Sequence, residues 1–308
     1  MLHLSRVIWH DRILFALTQK IEGVEMITGL HVLLTYSCPY ACDHCFLFCG
    51  PERTGVFTLE QLTGLIRQAK EIKTIRSISF EGGEPFLYYG LLHEGIRQVT
   101  QAGFDTAIET NCYWATGVED AKLWLRPLQA VGLKTIEPGD DAYHHGENDN
   151  TPGQMAAQAA RELGMTVRTI CVEKPQVTCR EDHTRGEPVY AGGPKLRGRA
   201  VETLVKDLPT RPWQELGECK MENLRDPGRV HIDPFGNVHV CQGLSMGNYL
   251  ETSLAEVLTG YDPDTHPVCG PLLKGGPVSL AQTYHLTHAD RYVDECHFCS
   301  EMCKSLAI

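Results

Sequence analysis

Hydrophobic positions in this 308-residue chain follow two alternating periods up to about residue 200. Residues 30–36 (LHVLLTY) form a short apolar run of the kind a buried strand shows, and the run leads straight into a Cys-rich stretch. Residues 58–71 place Leu59, Leu62, Leu65, Ile66 and Ala69 at helical spacing, with Thr58 suited to cap the helix start. The strand signature returns at 75–80, 104–109, 133–136 and 165–172. The helical one returns at 91–101, 118–130 and 152–163, with a break or bend predicted at Pro127 and a C-cap at Gly164. Repeated strand–helix alternation predicts a parallel sheet with helical crossovers. Residues 173–199 are polar and rich in Gly and Pro, which predicts a long loop over the mouth of the sheet with one more strand inside it. After about residue 208 the pattern changes. Residues 230–241 (VHIDPFGNVHVC) alternate on both sides of a Pro-Phe-Gly-Asn turn and predict a hairpin, and 254–258 predict a short helix. The chain thus divides into an extension at 1–28, an α/β unit at 29–208 and a smaller unit at 209–308.

Composition narrows the class. Apolar residues make up 42% of the chain, enough for a sizeable core. The net charge of −11 argues against a nucleic-acid partner, which a basic surface would serve better. No apolar stretch is long enough to predict a membrane span, and the N-terminus lacks a signal-peptide pattern, so a cytoplasmic protein is expected. Thirteen Cys, an odd number, do not fit a secreted disulfide framework.

Three of them, Cys38, Cys42 and Cys45, form C-x3-C-x2-C just past the first strand. With thirteen Cys in 308 positions, about 0.02 such matches are expected by chance. Three thiolates on one short loop can hold three irons of a cubane cluster and leave the fourth open to a small molecule. Spacing alone leaves zinc open, with His44 or Cys49 as a fourth ligand. Glu81-Gly82-Gly83-Glu84-Pro85 follows the second strand and falls at the same end of a parallel sheet as the Cys loop. Its two glycines allow close approach to the backbone.

Together the two motifs resemble the radical S-adenosylmethionine (SAM) superfamily, whose hallmarks are this Cys spacing after strand one and G-G-E-P after strand two. The resemblance covers roughly residues 29–200 and implies a partial (β/α)6 barrel. It implies that Cys38, Cys42 and Cys45 bind a 4Fe-4S cluster whose free iron is chelated by SAM. It also implies that Gly82, Gly83, Glu84 and Pro85 lie at the SAM amino group and that His44 lies near the adenine, where the family carries an aromatic residue. Thr110 and Asn111, at the end of strand three, fall where a ribose contact is often found. The activity implied is reductive cleavage of SAM to a 5′-deoxyadenosyl radical that abstracts hydrogen from a substrate, an oxidoreductase-type chemistry fed by an external one-electron donor.

Other polar groups sit at predicted strand ends. Asp141, His144 and His145 are candidates for substrate binding or proton handling. Arg197 and Arg199 could meet an anionic group of SAM or substrate, or form a surface basic pair. At the C-terminus, Cys219, a hairpin with G-x4-C spacing to Cys241, and Cys296-x2-Cys299 resemble the auxiliary-cluster extensions named SPASM and twitch. A full SPASM set needs more Cys, so the shorter twitch-like form is expected: a second 4Fe-4S cluster on Cys219, Cys241, Cys296 and Cys299, with Cys303 as alternate ligand. A four-thiolate zinc site is the competing reading. Cys171 is expected in the core of a strand and Cys49 buried. The substrate is a peptide or a small molecule. With no recognition domain evident before the barrel, peptide recognition would come from elsewhere. The alternative class is a non-catalytic iron–sulfur or zinc protein.

Overall fold

The computed structural model of the protein describes residues 27–178, 187–189 and 193–306. The predicted extension at 1–28 lies almost wholly outside the described residues.

An eight-stranded sheet organises the molecule, in the order β11-β10-β9-β1-β2-β3-β4-β5. Its parallel part contains β1 (Gly29–Thr35), β2 (Ser77–Gly82), β3 (Asp105–Thr110), β4 (Thr135–Pro138) and β5 (Thr166–Val167). Helices α1 (Leu59–Glu71), α2 (Tyr89–Gln101) and α3 (Val118–Ala130) make the first crossovers. The one-turn α4 (Ala142–His145) and α5 (Pro152–Glu162) lead to β5.

Local chemistry explains the borders. Thr58 and Gln61 form a reciprocal capping box at the start of α1, at 3.1 and 2.8 Å. The buried stripe of α1 is Leu62, Leu65, Ile66 and Ala69, whereas Leu59 is exposed. Leu59 occupies the first position of the helix, where the chain has not yet turned its face to the sheet. Gly95 of α2 is required by packing: a Cβ there would lie 2.9 Å from both Leu62 and Phe80. α3 runs unbroken through Pro127. The predicted strand at 165–172 shrinks to β5 plus a bridge from Ile170 to Gly139, and Cys171 is exposed rather than in the core. With so short a pairing, the alternate side chains there have no second layer to pack against.

The remainder departs further from the predicted division. Residues 173–199 hold two short strands, β6 (Gln176–Thr178) and β7 (Glu187–Val189), paired antiparallel, and then α6 (Arg199–Thr203). The predicted hairpin exists as β9 (Arg229–Ile232) and β10 (Asn237–Cys241), following β8 (Arg211–Pro212), but it does not fold apart. β9 pairs parallel with β1, Val230 beside Leu30 and His231 beside His31. It thus supplies the sixth parallel strand, on the far side of β1 from β2. Val230, Ile232 and Val238 join the barrel core. β11 (Leu244–Asn248) closes the sheet edge, and α7 (Leu254–Gly260) packs with it.

A second core gathers Leu216, Val240, Leu272, Leu280 and Phe298 around α8 (Cys269–Thr283) and α9 (Glu295–Ser305), with β12 (Arg291–Tyr292) paired to β8. Within α8 the helix breaks at Gly275–Gly276, where a Cβ on Gly276 would stand 2.4 Å from the Glu218 amide. That close crossing brings the Cys219 segment against the helices.

Candidate active site

The mouth of the parallel sheet opens into a cavity of about 320 Å³, lined by Cys38, Cys42, Cys45, His44, Gly82, Gly83, Thr110, Asn111 and His144, among others. The loop after β1 that carries the three Cys is tied down on every side. Cys38 N–H donates to Gly50 O at 3.1 Å, and Cys49 N–H donates to Cys45 Sγ at 3.3 Å. Asn111 Nδ2 donates to Cys38 Sγ at 3.4 Å.

Burial lifts the Cys38 thiol to about 11 and the Cys42 thiol to about 12. Cys45 goes the other way, to about 6, because the Cys49 thiol donates to it. Buried thiolates need a cation to offset lost hydration. Iron in place of the protons supplies it, so this donor set fits an iron–sulfur cluster.

Gly82 and Gly83 line the cavity, and they are also required by packing. A Cβ at Gly82 would lie 2.5 Å from Thr35 O, and one at Gly83 2.1 Å from Ser37 O. The β2 turn packs on the backbone that launches the Cys loop, and Gly83 N–H and Glu84 N–H donate to Thr35 O and Ser37 O at 2.7 and 2.9 Å.

Glu84 is fully buried, and its carboxylate accepts from Phe86 N, Thr110 Oγ1 and Asn111 N at 3.0, 2.9 and 2.9 Å. The side chain is a brace between strand ends rather than a free ligand group, and burial lifts it to about 7 against those donors. Pro85 is buried behind it at the start of a 3-10 turn. Thr110 Oγ1 is likewise engaged: it donates to Glu84 and accepts from Trp114 Nε1 at 3.1 Å and Cys112 N at 3.0 Å. Asn111 is engaged as well: Nδ2 donates to Cys38 Sγ, and Oδ1 accepts from Tyr113 N at 3.0 Å.

His44 packs between Tyr143 and His144, with ring centroids at 4.7 and 4.9 Å, and its buried Nδ1 has no hydrogen-bond partner among the described residues. The His44 ring lines the cavity, and a flat ring there suits stacking on a heterocyclic ligand.

Of the three catalytic candidates, only His144 lines the cavity. Asp141 caps α4, accepting from Tyr143 N and His144 N at 3.1 Å each and from Val172 N at 3.2 Å, so its carboxylate holds the turn together. It also meets His144 Nδ1 at 3.0 Å and orients that ring. His145 Nε2 meets Gly139 O at 3.0 Å.

Sequence reasoning passed over a polar group on the barrel interior. Glu81 meets His31 Nδ1 at 2.8 Å and His231 Nδ1 at 2.6 Å, one through each oxygen. Glu109 and Glu137, register partners on β3 and β4, line the same cavity as Glu81. Burial, then the charges of Glu81 and Glu137, push Glu109 well above the usual carboxylate range. Glu109 and Glu137 fall at strand ends where polar residues are a signal. His231 carried none, because its place beside β1 depends on the sheet order.

Arg199 was also misread. Its guanidinium does not face the cavity: it donates to Cys42 O at 3.0 Å and Cys49 O at 2.6 Å, while its own amide donates to Cys45 O at 2.9 Å. Gly198, at φ +62°, leaves room for the Cys loop, since a Cβ would meet Phe46 O at 2.4 Å.

Beyond this cavity lies a second, smaller one, and Cys219, Cys241, Cys296 and Cys299 all line it. Asp294 caps α9 by accepting from His297 N at 2.6 Å, which sets Cys296 in the first turn and Cys299 at the start of the second. Cys303 lies one turn on, its Sγ 3.9 Å from Cys299 Sγ, outside the lining of this cavity. Burial pushes Cys296, Cys219 and Cys269 up. Lys195 Nζ donates to Cys241 Sγ at 3.3 Å.

Residues 32–171 match the family model described as the radical SAM superfamily. A stretch of 107 residues, 35% of the chain, is 26% identical to YydG of Bacillus subtilis (strain 168), named for peptide biosynthesis, and covers 34% of that protein. The chain thus spans about a third of the length of this curated relative. Among solved structures, BtrN in complex with AdoMet and 2-DOIA aligns over 76% of this chain and 83% of its own, at 14% identity and TM-score 0.47. Streptococcus suis SuiB bound to S-adenosylmethionine aligns over 84% and 71%, at 16% identity and TM-score 0.47.

Proposed function

Because residues 32–171 make this chain a member of the radical SAM superfamily, we propose that it is an enzyme holding a 4Fe-4S cluster on Cys38, Cys42 and Cys45 and SAM in the adjoining cavity. The observation that carries the reading is the convergence of three tethered Cys, His44 and Asn111 on one cavity. When bound, cluster and cosubstrate supply a 5′-deoxyadenosyl radical that removes a hydrogen atom from the substrate. The chain's own part is positional. Asn111 and the Cys49 amide donate to the ligand sulfurs of Cys38 and Cys45. On this reading His44 would serve the adenine and Asn111 the ribose. His144, oriented by Asp141, and the carboxylates of Glu81, Glu109 and Glu137 form the polar wall that a substrate would meet.

We assign Cys219, Cys241, Cys296 and Cys299 to a second 4Fe-4S cluster. What supports it is their shared cavity and the ammonium of Lys195 against Cys241, a cation suited to an anionic cluster. The substrate we propose is a peptide, on the likeness to YydG. The second core and its four Cys then form an auxiliary unit of the twitch type, joined to the barrel sheet through β9 and β10.

Anaerobic reconstitution tests the assignment. About eight irons per chain, with SAM converted to 5′-deoxyadenosine under reduction, is the expected outcome. Zinc in place of iron, or a fully loaded protein that leaves SAM intact, would refute the enzyme reading. Changing Cys38, Cys42 and Cys45 together to Ala should leave about four irons bound.

A further inference from the structure

Two cations enter the second Cys cavity from a segment that sequence patterns left as loop. The Lys195 side chain is only 11% exposed. Its Nζ donates to Cys241 Sγ at 3.3 Å, to Glu222 Oε1 at 3.0 Å and to Gln242 Oε1 at 3.5 Å. Arg197 lies two residues on. It lines the second cavity with Cys219, Cys241, Cys296 and Cys299, and a neighbouring cleft with Cys303. Gly243, at φ +85°, gives it room, since a Cβ there would lie 2.6 Å from Nη2. Among the described residues, Arg197 forms no ion pair with a carboxylate. A part-buried guanidinium surrounded by thiols is costly unless those thiols carry negative charge.

We propose that Lys195 and Arg197 set the reduction potential of the second cluster, holding it above the value that four thiolates alone would give. The proposal rests on the second cluster assigned above. Reduction adds one negative charge to an anionic cluster, and a fixed cation nearby stabilises the reduced form more than the oxidised one. Net charge and hydrogen bonds to the sulfurs are the protein's established levers on such potentials. The two residues should not contribute equally. Glu222 offsets part of the Lys195 charge, whereas no carboxylate among the described residues pairs with Arg197. Lys195 also lines the larger cavity, so one ammonium faces both sites.

The test uses the full chain with Cys38, Cys42 and Cys45 changed to Ala, so that only the second cluster reports. Its potential is measured by an EPR-monitored redox titration, with Lys195→Met and Arg197→Met added separately. Each should lower the ratio of reduced to oxidised cluster at a fixed potential by about tenfold or more, equal to about 59 mV for one electron. Arg197→Met should give the larger shift. Lys195→Arg and Arg197→Lys, which keep the charge, should stay near the parent. A potential unchanged in both Met variants at full iron loading would overturn the proposal. A parent triple variant that binds no iron would instead refute the second cluster itself.

Discussion

Arg199 offers the sharpest test of how the Cys loop is held. Its guanidinium donates to Cys42 O at 3.0 Å and Cys49 O at 2.6 Å, bonds that Arg199→Met removes while the backbone bond to Cys45 O stays. Hydrogen bonds to charged groups contribute about 1.5–3 kcal/mol each. The site is only part-buried, so water replaces some of the loss and about 3 kcal/mol in total is a reasonable figure. At 1.4 kcal/mol per tenfold, the loop should open roughly 100-fold more often. Iron loss from Cys38, Cys42 and Cys45 that proceeds through the open loop should quicken by a similar factor. The assay is anaerobic reconstitution followed by a ferrous chelator, with cluster absorbance recorded over time. The Arg199→Met trace should show one accelerated phase, assigned to the first cluster, and one unchanged phase from the second. Arg199→Lys, which can reach one carbonyl at a time, should fall between. Loss of iron at the parent rate in Arg199→Met would refute the view that this strap holds the site.

Other outcomes follow from the same geometry. Gly83→Ala drives a Cβ to within 2.1 Å of Ser37 O and should cost about 2 kcal/mol or more, read by thermal denaturation and by iron content after reconstitution. Glu84, lifted to about 7 by burial, is raised relative to its unfolded value, so its contribution is complete below pH 4.5 and lost as pH rises through 7. Denaturant unfolding of the parent should therefore weaken by about 3 kcal/mol from pH 4.5 to 8 relative to Glu84→Gln, and parallel curves would refute this. His44→Phe removes the orphaned Nδ1 and should leave the protein as stable or about 1 kcal/mol more so, while calorimetry shows weaker SAM binding. Cys299→Ser should halve the iron content, whereas Cys303→Ser should keep it, because only Cys299 lines the second cavity.

The fold class was readable because local period and turn chemistry agree over β1 to α3, and the Cys and Gly-Gly motifs fall at strand ends on one side of the sheet. What sequence patterns missed depended on topology. Nothing local to residues 229–232 says that this strand will pair with β1, 200 residues earlier, so the hairpin looked like part of a separate unit. Asp141 and Glu84 looked like free chemistry because a carboxylate at a strand end is equally suited to cap a turn, and only the hydrogen-bond partners distinguish the two roles. Arg197 and Arg199 carry the same ambiguity, for a basic residue can seek a ligand anion or a backbone carbonyl.

The sheet order also explains why the two Cys sets stand close. By pairing with β1, β9 places β10 and its terminal Cys241 on the same sheet as the loop of Cys38, Cys42 and Cys45. A hydrogen-bonded chain then spans the gap. Cys241 receives from Lys195, which also donates to Gln242; Gln242 meets His231 at 3.1 Å; and His231 meets Glu81, which lines the larger cavity. The segment that supplies Lys195 continues through Arg197 to Gly198 and Arg199, which grip the first Cys loop. Both sites thus share one stretch of five residues, 195–199, and neither can take its final shape until that stretch is docked. The first Cys loop is local in sequence but not in stability, since its carbonyls wait for a guanidinium about 150 residues downstream. A fragment ending before residue 193 would keep the motif spacing of the first site and lack the strap. It should assemble a cluster poorly, and a fragment that loads iron as tightly as the full chain would contradict the coupling.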